Sequence, residues 1–187
     1  VHRRRHGSGW VVRGVLLIET PRLVLIPATI ESLRAEAARD WIRFARAIGV
    51  AAPEHWPPEL YDDDAVAWSL RALEEGRDRD PWFTYYFALK GPPRVLVGAG
   101  GMMNPPDGEG VVEIGYSVLP AHRRQGYASE AATGLVARAL AEPEVTRVIA
   151  HTFPHLTASI GVLEKCGFVL EGPGAEQGTV RYGRRRG

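Results

Sequence analysis

Arg123-Arg124-Gln125-Gly126-Tyr127-Ala128 lies between a strand-like run, Val111 to Leu119, and a helix-like run, Ser129 to Leu140. A strand feeding a glycine-bearing turn that opens a helix builds an anion site. The first backbone N–H groups of a helix have no intrahelical partner, and the helix dipole favours negative charge there. Gly126 permits close backbone approach, Ala128 adds little bulk, and two arginines add charge. The chemistry on offer is diphosphate binding by main-chain amides. Other nucleotide loops do not fit. No Gly-x-x-x-x-Gly-Lys-Ser/Thr string occurs, and a Gly-x-Gly-x-x-Gly reading with Gly126 as second glycine puts its first on Arg124.

The surrounding residues extend the pattern. The run Val112-Glu113-Ile114-Gly115-Tyr116-Ser117-Val118-Leu119-Pro120-Ala121-His122 leads into the loop, and Ser129-Glu130-Ala131-Ala132 follows it. Together they resemble the acetyl-CoA-binding core of the GNAT acyltransferase superfamily, whose loop reads Gln/Arg-x-x-Gly-x-Gly/Ala. Arg123, Gly126 and Ala128 fill its fixed positions. A second block, Ala158-Ser159-Ile160-Gly161-Val162-Leu163-Glu164-Lys165-Cys166-Gly167-Phe168, resembles the later helix and Glu-Lys-x-Gly-Phe turn of that family. A third, Glu19-Thr20-Pro21-Arg22-Leu23-Val24-Leu25, resembles the opening strand of the branch containing ribosomal-protein N-terminal acetyltransferases. The resemblance spans residues 18 to 184.

It implies an α/β (α+β) GNAT fold: a mixed, mostly antiparallel sheet splayed at the cofactor-binding strand and flanked by helices. It implies acetyl transfer from acetyl-CoA to a primary amine of a protein N-terminus or a small molecule. The co-substrate is expected on Arg123, Arg124, Gln125, Gly126, Tyr127 and Ala128, with the pantetheine amides pairing with the main chain of Val118.

Composition sets bounds. At 187 residues, one compact domain is the natural count. The net charge of +1 gives no reason to expect nucleic acid as a partner. The single cysteine, Cys166, excludes an intramolecular disulfide framework and a multi-cysteine zinc site. No apolar run reaches the length of a membrane span. Residues 1–15 read as a flexible basic leader or an upstream start-site extension, and 16–187 as the acetyltransferase domain. An RNA-binding basic arm is the other reading of the leader. Arg184-Arg185-Arg186 reads as a solvated end.

Along the chain, Arg22 to Pro27 reads as a strand. Ile30, Leu33, Ala37, Trp41, Phe44 and Ile48 recur at helical spacing, and Gly49 ends that pattern. A turn-rich loop at 52–58 precedes a helix over 63–75, opened by Asp62-Asp63-Asp64. Acidic residues in a first helical turn suit the dipole, and no second acidic cluster supports a metal site. Strands follow at 82–89, 95–103 and 111–119, as an antiparallel meander. A helix, a strand at 145–152, a helix at 158–166 and strands at 168–171 and 179–182 complete the order.

Acetyl transfer to an amine needs a base, because an ammonium has no lone pair. Glu113 is the leading candidate, acting through water. By alternation it shares a strand face with Gly115 and Ser117, opposite Ile114, Tyr116 and Val118. The other reading is a solvent-facing or salt-bridged glutamate. Ser159 is the second catalytic candidate and a cofactor contact. It matches the family's Asn-x-x-Ser, although Leu156 stands where the asparagine belongs, and its hydroxyl could instead cap a helix. The family's tyrosine acid is replaced by Leu163. His151 and His155 do not share a helical face, so they do not read as a zinc pair. Cys166 reads as a buried small hydrophobe. His55 and Trp56, in a Pro-bounded loop, are expected on the acceptor wall, with core packing as the alternative for Trp56.

The expectation is a cytoplasmic, acetyl-CoA-dependent N-acetyltransferase working by direct transfer, a monomer or homodimer, with no metal and no membrane partner. The alternative is a catalytically silent acyl-CoA-binding or regulatory module, which Leu156 and Leu163 keep open.

Overall fold

In a computed structural model the described residues are 5–6, 9–12, 15–77, 82, 84–103 and 105–187. Short strands β1 (Arg5–His6), β2 (Gly9–Val12) and β3 (Val15–Leu16) pair in a separate antiparallel sheet. The rest of the expected leader lies outside the described residues.

The main sheet has eight strands: β4 (Ile18–Glu19), β5 (Leu23–Pro27), β6 (Thr84–Leu89), β7 (Leu96–Met102), β8 (Val111–Val118), β9 (Arg147–Thr152), β10 (Val169–Pro173) and β11 (Val180–Arg185). Their order across the sheet is β10-β11-β9-β8-β7-β6-β5-β4. Every neighbouring pair is antiparallel except β8–β9. Alternation along β5 and β6 sends Leu23, Leu25 and Phe87 to one face and Val24, Ile26 and Tyr86 to the other. The expected splayed GNAT sheet is the architecture found.

Helices α1 (Ile30–Ala37), α2 (Trp41–Ile48) and α3 (Asp63–Ala72) cover one face, and α4 (Tyr127–Ala141) and α5 (Thr157–Lys165) the other. The single helix expected over 30–48 is two. Arg39 adopts a left-handed φ of 55°, and the Asp40 side chain caps the new start by accepting from the Arg43 amide at 3.0 Å. Periodicity survives such a break because both pieces pack on the same core. Asp62 caps α3 through the Ala65 amide at 3.0 Å, which accounts for the start of the acidic run. α4 lies close over β4, where a Cβ on Gly134 would sit 3.2 Å from Ile18 Cγ2.

The C-terminal arginines correct a further expectation. Arg184 and Arg185 belong to β11. Arg184 Nη1 donates to the Cys166 carbonyl at 2.6 Å, and Arg186 Nη2 to the Val145 carbonyl at 2.7 Å. Guanidinium groups here satisfy loop carbonyls that the sheet leaves unpaired.

Beneath α1–α3, the buried Glu36 carboxylate accepts three bonds: from Trp56 Nε1 at 2.6 Å, Tyr86 OH at 2.7 Å and Tyr61 OH at 3.2 Å. Burial raises its pKa above the usual carboxylate value, against those hydrogen bonds. The Trp56 ring also packs on Phe44, Tyr61 and Tyr86. Trp56→Ala removes this packing and leaves a buried carboxylate short of a donor. A loss of about 3–5 kcal/mol, on the order of 10 °C in melting temperature, is expected in thermal unfolding.

Candidate active site

β8 and β9 run parallel over a short overlap only, pairing Val111, Val112 and Glu113 with Arg147, Val148 and Ile149. Beyond it β9 stays with β11, and β8 with β7. Bonds from the Met103 amide to the Glu113 carbonyl and from the Leu119 amide to the Val97 carbonyl fix which β8 groups face β7. By alternation the amides of Ile114, Tyr116 and Val118 point the other way; the Glu113–Ile149 pairing gives that of Ile114 to β9, and those of Tyr116 and Val118 face the gap. A cleft of about 1390 Å³ occupies it, bounded by β8, the start of α4, the end of β9 and α5.

The loop at its upper end carries two left-handed residues, Arg124 (φ 59°) and Gly126 (φ 81°). Gly126 is the N-cap of α4 and makes no side-chain capping bond, so the first-turn amides face the cleft uncapped. Such turns gather N–H groups into an anion-binding concavity. Arg124, Gly126, Tyr127 and Ala128 all line the cleft. Gln125 is turned back, its Nε2 donating to the Ala121 carbonyl at 3.3 Å. Arg123 is engaged locally: Nε donates to the Val118 carbonyl at 3.1 Å, and Nη2 pairs with Glu59 Oε2 at 2.6 Å. The outward carbonyl of Val118 is therefore taken, which leaves its amide for a ligand.

A latch holds this loop to the N-terminal strand. Glu130, in the first turn of α4, accepts from Thr20 Oγ1 at 2.6 Å, the Arg22 amide at 2.6 Å and Arg22 Nε at 2.7 Å. Arg22 Nη1 also reaches the Gln125 carbonyl at 2.9 Å, and its guanidinium lies 4.6 Å from the Tyr127 ring centroid. The Thr-Pro-Arg-Leu block thus braces the diphosphate-type loop. This contact was not legible as a pair, because 108 residues separate Arg22 from Glu130.

At the lower end, Glu113 Oε1 lies 2.8 Å from His151 Nδ1. Glu113 pairs with Ile149 across the parallel register, so His151, two residues on, falls on the same face. Both side chains are partly buried and line the cleft. This carboxylate–imidazole pair is not legible in the sequence, where His151 reads only as a candidate metal ligand, because the parallel register that joins β9 to β8 leaves no local pattern. Tyr116 is a second such residue. Its hydroxyl donates to the Ser159 carbonyl at 3.3 Å, and burial raises its pKa to about 12. Ser159 lines the cleft from α5.

The two acceptor-wall candidates are not brought together there. Trp56 is turned under the helices onto Glu36. His55 lines a smaller hollow of about 470 Å³, which adjoins the cleft through Pro120, Ala121 and His122. Among the described residues no cluster of three or more His, Cys, Asp or Glu side chains could hold a metal, and no helix is long and apolar enough to cross a membrane.

Burial alone would raise the Glu130 pKa, but the bonds from Thr20 and Arg22 and the Arg22 charge outweigh it and hold it below its ordinary value. A depressed folded-state pKa stabilises above the unfolded value, about 4.3, and that stability is lost as pH falls through the folded value. Glu130→Gln should therefore melt below wild type at pH 7 and show a shallower acid-side decline. Melting temperatures from pH 7 to pH 3 check both.

The chain resembles known proteins in sequence and fold. The family model of the GNAT acetyltransferase domain matches residues 22–169. The chain is 30% identical over 162 residues to the uncharacterized N-acetyltransferase YjdG of Bacillus subtilis (strain 168), across 87% of this chain and 95% of that protein. Its fold matches the crystal structure of an acetyltransferase from Agrobacterium tumefaciens, with a TM-score of 0.63 at 21% identity over 98% of this chain and 100% of the other. It also matches RimL, a ribosomal L7/L12 α-N-protein acetyltransferase solved with coenzyme A, with a TM-score of 0.59 at 16% identity over 90% and 97% of the two chains. The matched family model covers most of the chain, from the latch strand through both helices of the cleft, and the chain belongs to the GNAT family of acetyltransferases.

Proposed function

We propose that this protein moves the acetyl group of acetyl-CoA directly to a primary amine, with Glu113 and His151 together removing the amine proton. The observation that carries this reading is their 2.8 Å contact beside the parting of β8 and β9. With Glu113 ionised, Nδ1 of His151 carries the hydrogen, and Nε2 keeps its lone pair. Glu113 then orients the imidazole and stabilises its charged form once it has taken a proton.

The cleft's chemistry fits the co-substrate. Acetyl-CoA supplies an acyl group activated on a thioester sulfur. The uncapped amides at the start of α4, with Arg124, suit its diphosphate. The amides of Tyr116 and Val118 suit an extended amide-bearing arm, whatever their side chains. Tyr116 stays protonated at neutral pH because its pKa is near 12, so it can donate to the departing sulfur. It takes the place of the tyrosine that Leu163, a buried aliphatic residue here, does not provide.

The acceptor is a protein N-terminal amine or a small-molecule amine, entering from the face of β8 that carries Glu113, Gly115 and Ser117. Support for that face is Gly115, where an added Cβ would meet only Met103 Sδ, at 3.6 Å.

Glu113→Gln and His151→Gln should each lower kcat by about a hundredfold near neutral pH while leaving coenzyme A affinity unchanged. The double variant should lose little more than either single one, as expected of residues acting as a unit. The loss in Glu113→Gln should shrink at high pH, where the free amine is abundant. Thiol release from acetyl-CoA with an amine panel reads all of this, and wild-type turnover in either single variant would remove that residue from the mechanism. Gly126→Ala puts a Cβ 3.3 Å from Arg22 Nη2 on a left-handed backbone. Calorimetry should show coenzyme A binding about tenfold weaker or more, the equivalent of roughly 1.4 kcal/mol. Unchanged affinity in the folded variant would move the diphosphate elsewhere.

A further inference from the structure

Leu60 is the most exposed large hydrophobic side chain among the described residues, at 83%, and it lines the cleft. Its backbone is left-handed, with φ of 64°. A branched side chain disfavours that conformation. Strain and apolar exposure on one residue are not compensated by packing of its own side chain, and strained residues persist only where their surroundings hold them.

Here the surroundings hold both neighbours. The Glu59 carbonyl accepts from Ser117 Oγ, and its carboxylate pairs with Arg123 at 2.6 Å. On the other side Tyr61 is buried and donates to Glu36 at 3.2 Å. The chain is thus pinned to the helical layer and to β8, and Leu60 stands at the tip between them. Ser117 shares its strand face with Glu113, so the pinned tip lies over the face where the base sits.

Two further exposed apolar side chains line the same cleft: Met103, just past β7, and Phe153, just past β9. Met103 lies over Gly115, between Glu113 and Ser117. Three chain segments therefore bring apolar surface to one opening. Its lining is not strongly acidic. Glu59 is paired with Arg123, and of the two other cleft carboxylates, Glu113 and Glu176, the charge of one is offset by Arg124. An acceptor with several positive charges would find little to balance them.

Resting on the acetyltransferase reading above, we infer that the acceptor is a monoamine bearing an apolar substituent next to the reacting nitrogen, and that Leu60 selects for it. Free amines and peptide N-termini share that chemistry. Leucinamide and phenylalaninamide represent the first source, peptides beginning with leucine or serine the second, and glycinamide and spermidine serve as the contrasting acceptors.

The experiment measures kcat/KM for this panel on the full chain. Leucinamide or phenylalaninamide should exceed glycinamide by about tenfold or more, the scale of discrimination that apolar contact provides. If peptides are the natural source, the leucine-initiated peptide should surpass both amides; if free amines are, it should not. Leu60→Ser should cut the apolar preference by about tenfold, with the coenzyme A dissociation constant within twofold of wild type. Leu60→Gly relieves the backbone strain while removing the side chain. It should raise the melting temperature and still lose the preference, a combination that a purely structural Leu60 would not give. Met103→Ser should erode the preference independently if a Leu60 variant fails to fold. Spermidine or glycinamide used as well as leucinamide, or an unchanged preference in Leu60→Gly, overturns the inference while leaving acetyl transfer standing. Coenzyme A binding with no transfer to any amine overturns both.

Discussion

The parallel register between β8 and β9 is the constraint on which the site depends. Pairing holds from Val111 to Glu113 and then stops, because each strand continues with its antiparallel neighbour on the other side. The gap leaves outward backbone groups of β8 without a strand partner. A buried or half-buried amide without a partner is costly, so the opening suits a ligand with amides of its own. The same short overlap sets the phase of β9 and brings His151 onto the Glu113 face. One register therefore determines both a backbone surface for the donor and a proton-transfer pair for the acceptor.

Two networks hold the edges of that opening. On the donor side Glu130 gathers Thr20 and Arg22, and Arg22 reaches on to the Gln125 carbonyl. The first strands of the sheet are thereby fastened to the loop that starts α4. On the acceptor side Glu36 collects Trp56, Tyr61 and Tyr86, and Glu59 joins that helical layer to Ser117 and Arg123. Arg123 links the two edges. It belongs to the loop by sequence, but its guanidinium serves the Val118 carbonyl and the Glu59 carboxylate. Side-chain bonds of this kind restrict the geometry of a site more than they add to net stability.

The order of strands and helices was legible because each element carries its own period. The apolar run of β5, the alternation in β8, the helical spacing of α4 and the turn residues around 105–110 are all local signals. Boundaries and breaks were less legible. The interruption at Arg39 leaves the apolar spacing of α1 and α2 nearly in phase, so periodicity reads through it. Trp56 illustrates a different limit. Its loop composition suggests a surface role, yet the indole turns inward because Glu36, on a different element, offers a buried acceptor.

The sequence by itself determined the family, the strand–loop–helix around Gly126 and the presence of a carboxylate at position 113 on a defined strand face. These follow from contiguous residues, whose spacing fixes their mutual geometry. Only the tertiary structure decided that Glu113 meets His151, that Arg22 meets Glu130, that Arg184 and Arg186 bond carbonyls outside the sheet, and that Leu60 stands strained at the mouth of the cleft. Each of these joins residues distant in the chain, or depends on neighbours pinned from two layers at once. Such pairings are set by register and packing, which no local pattern encodes.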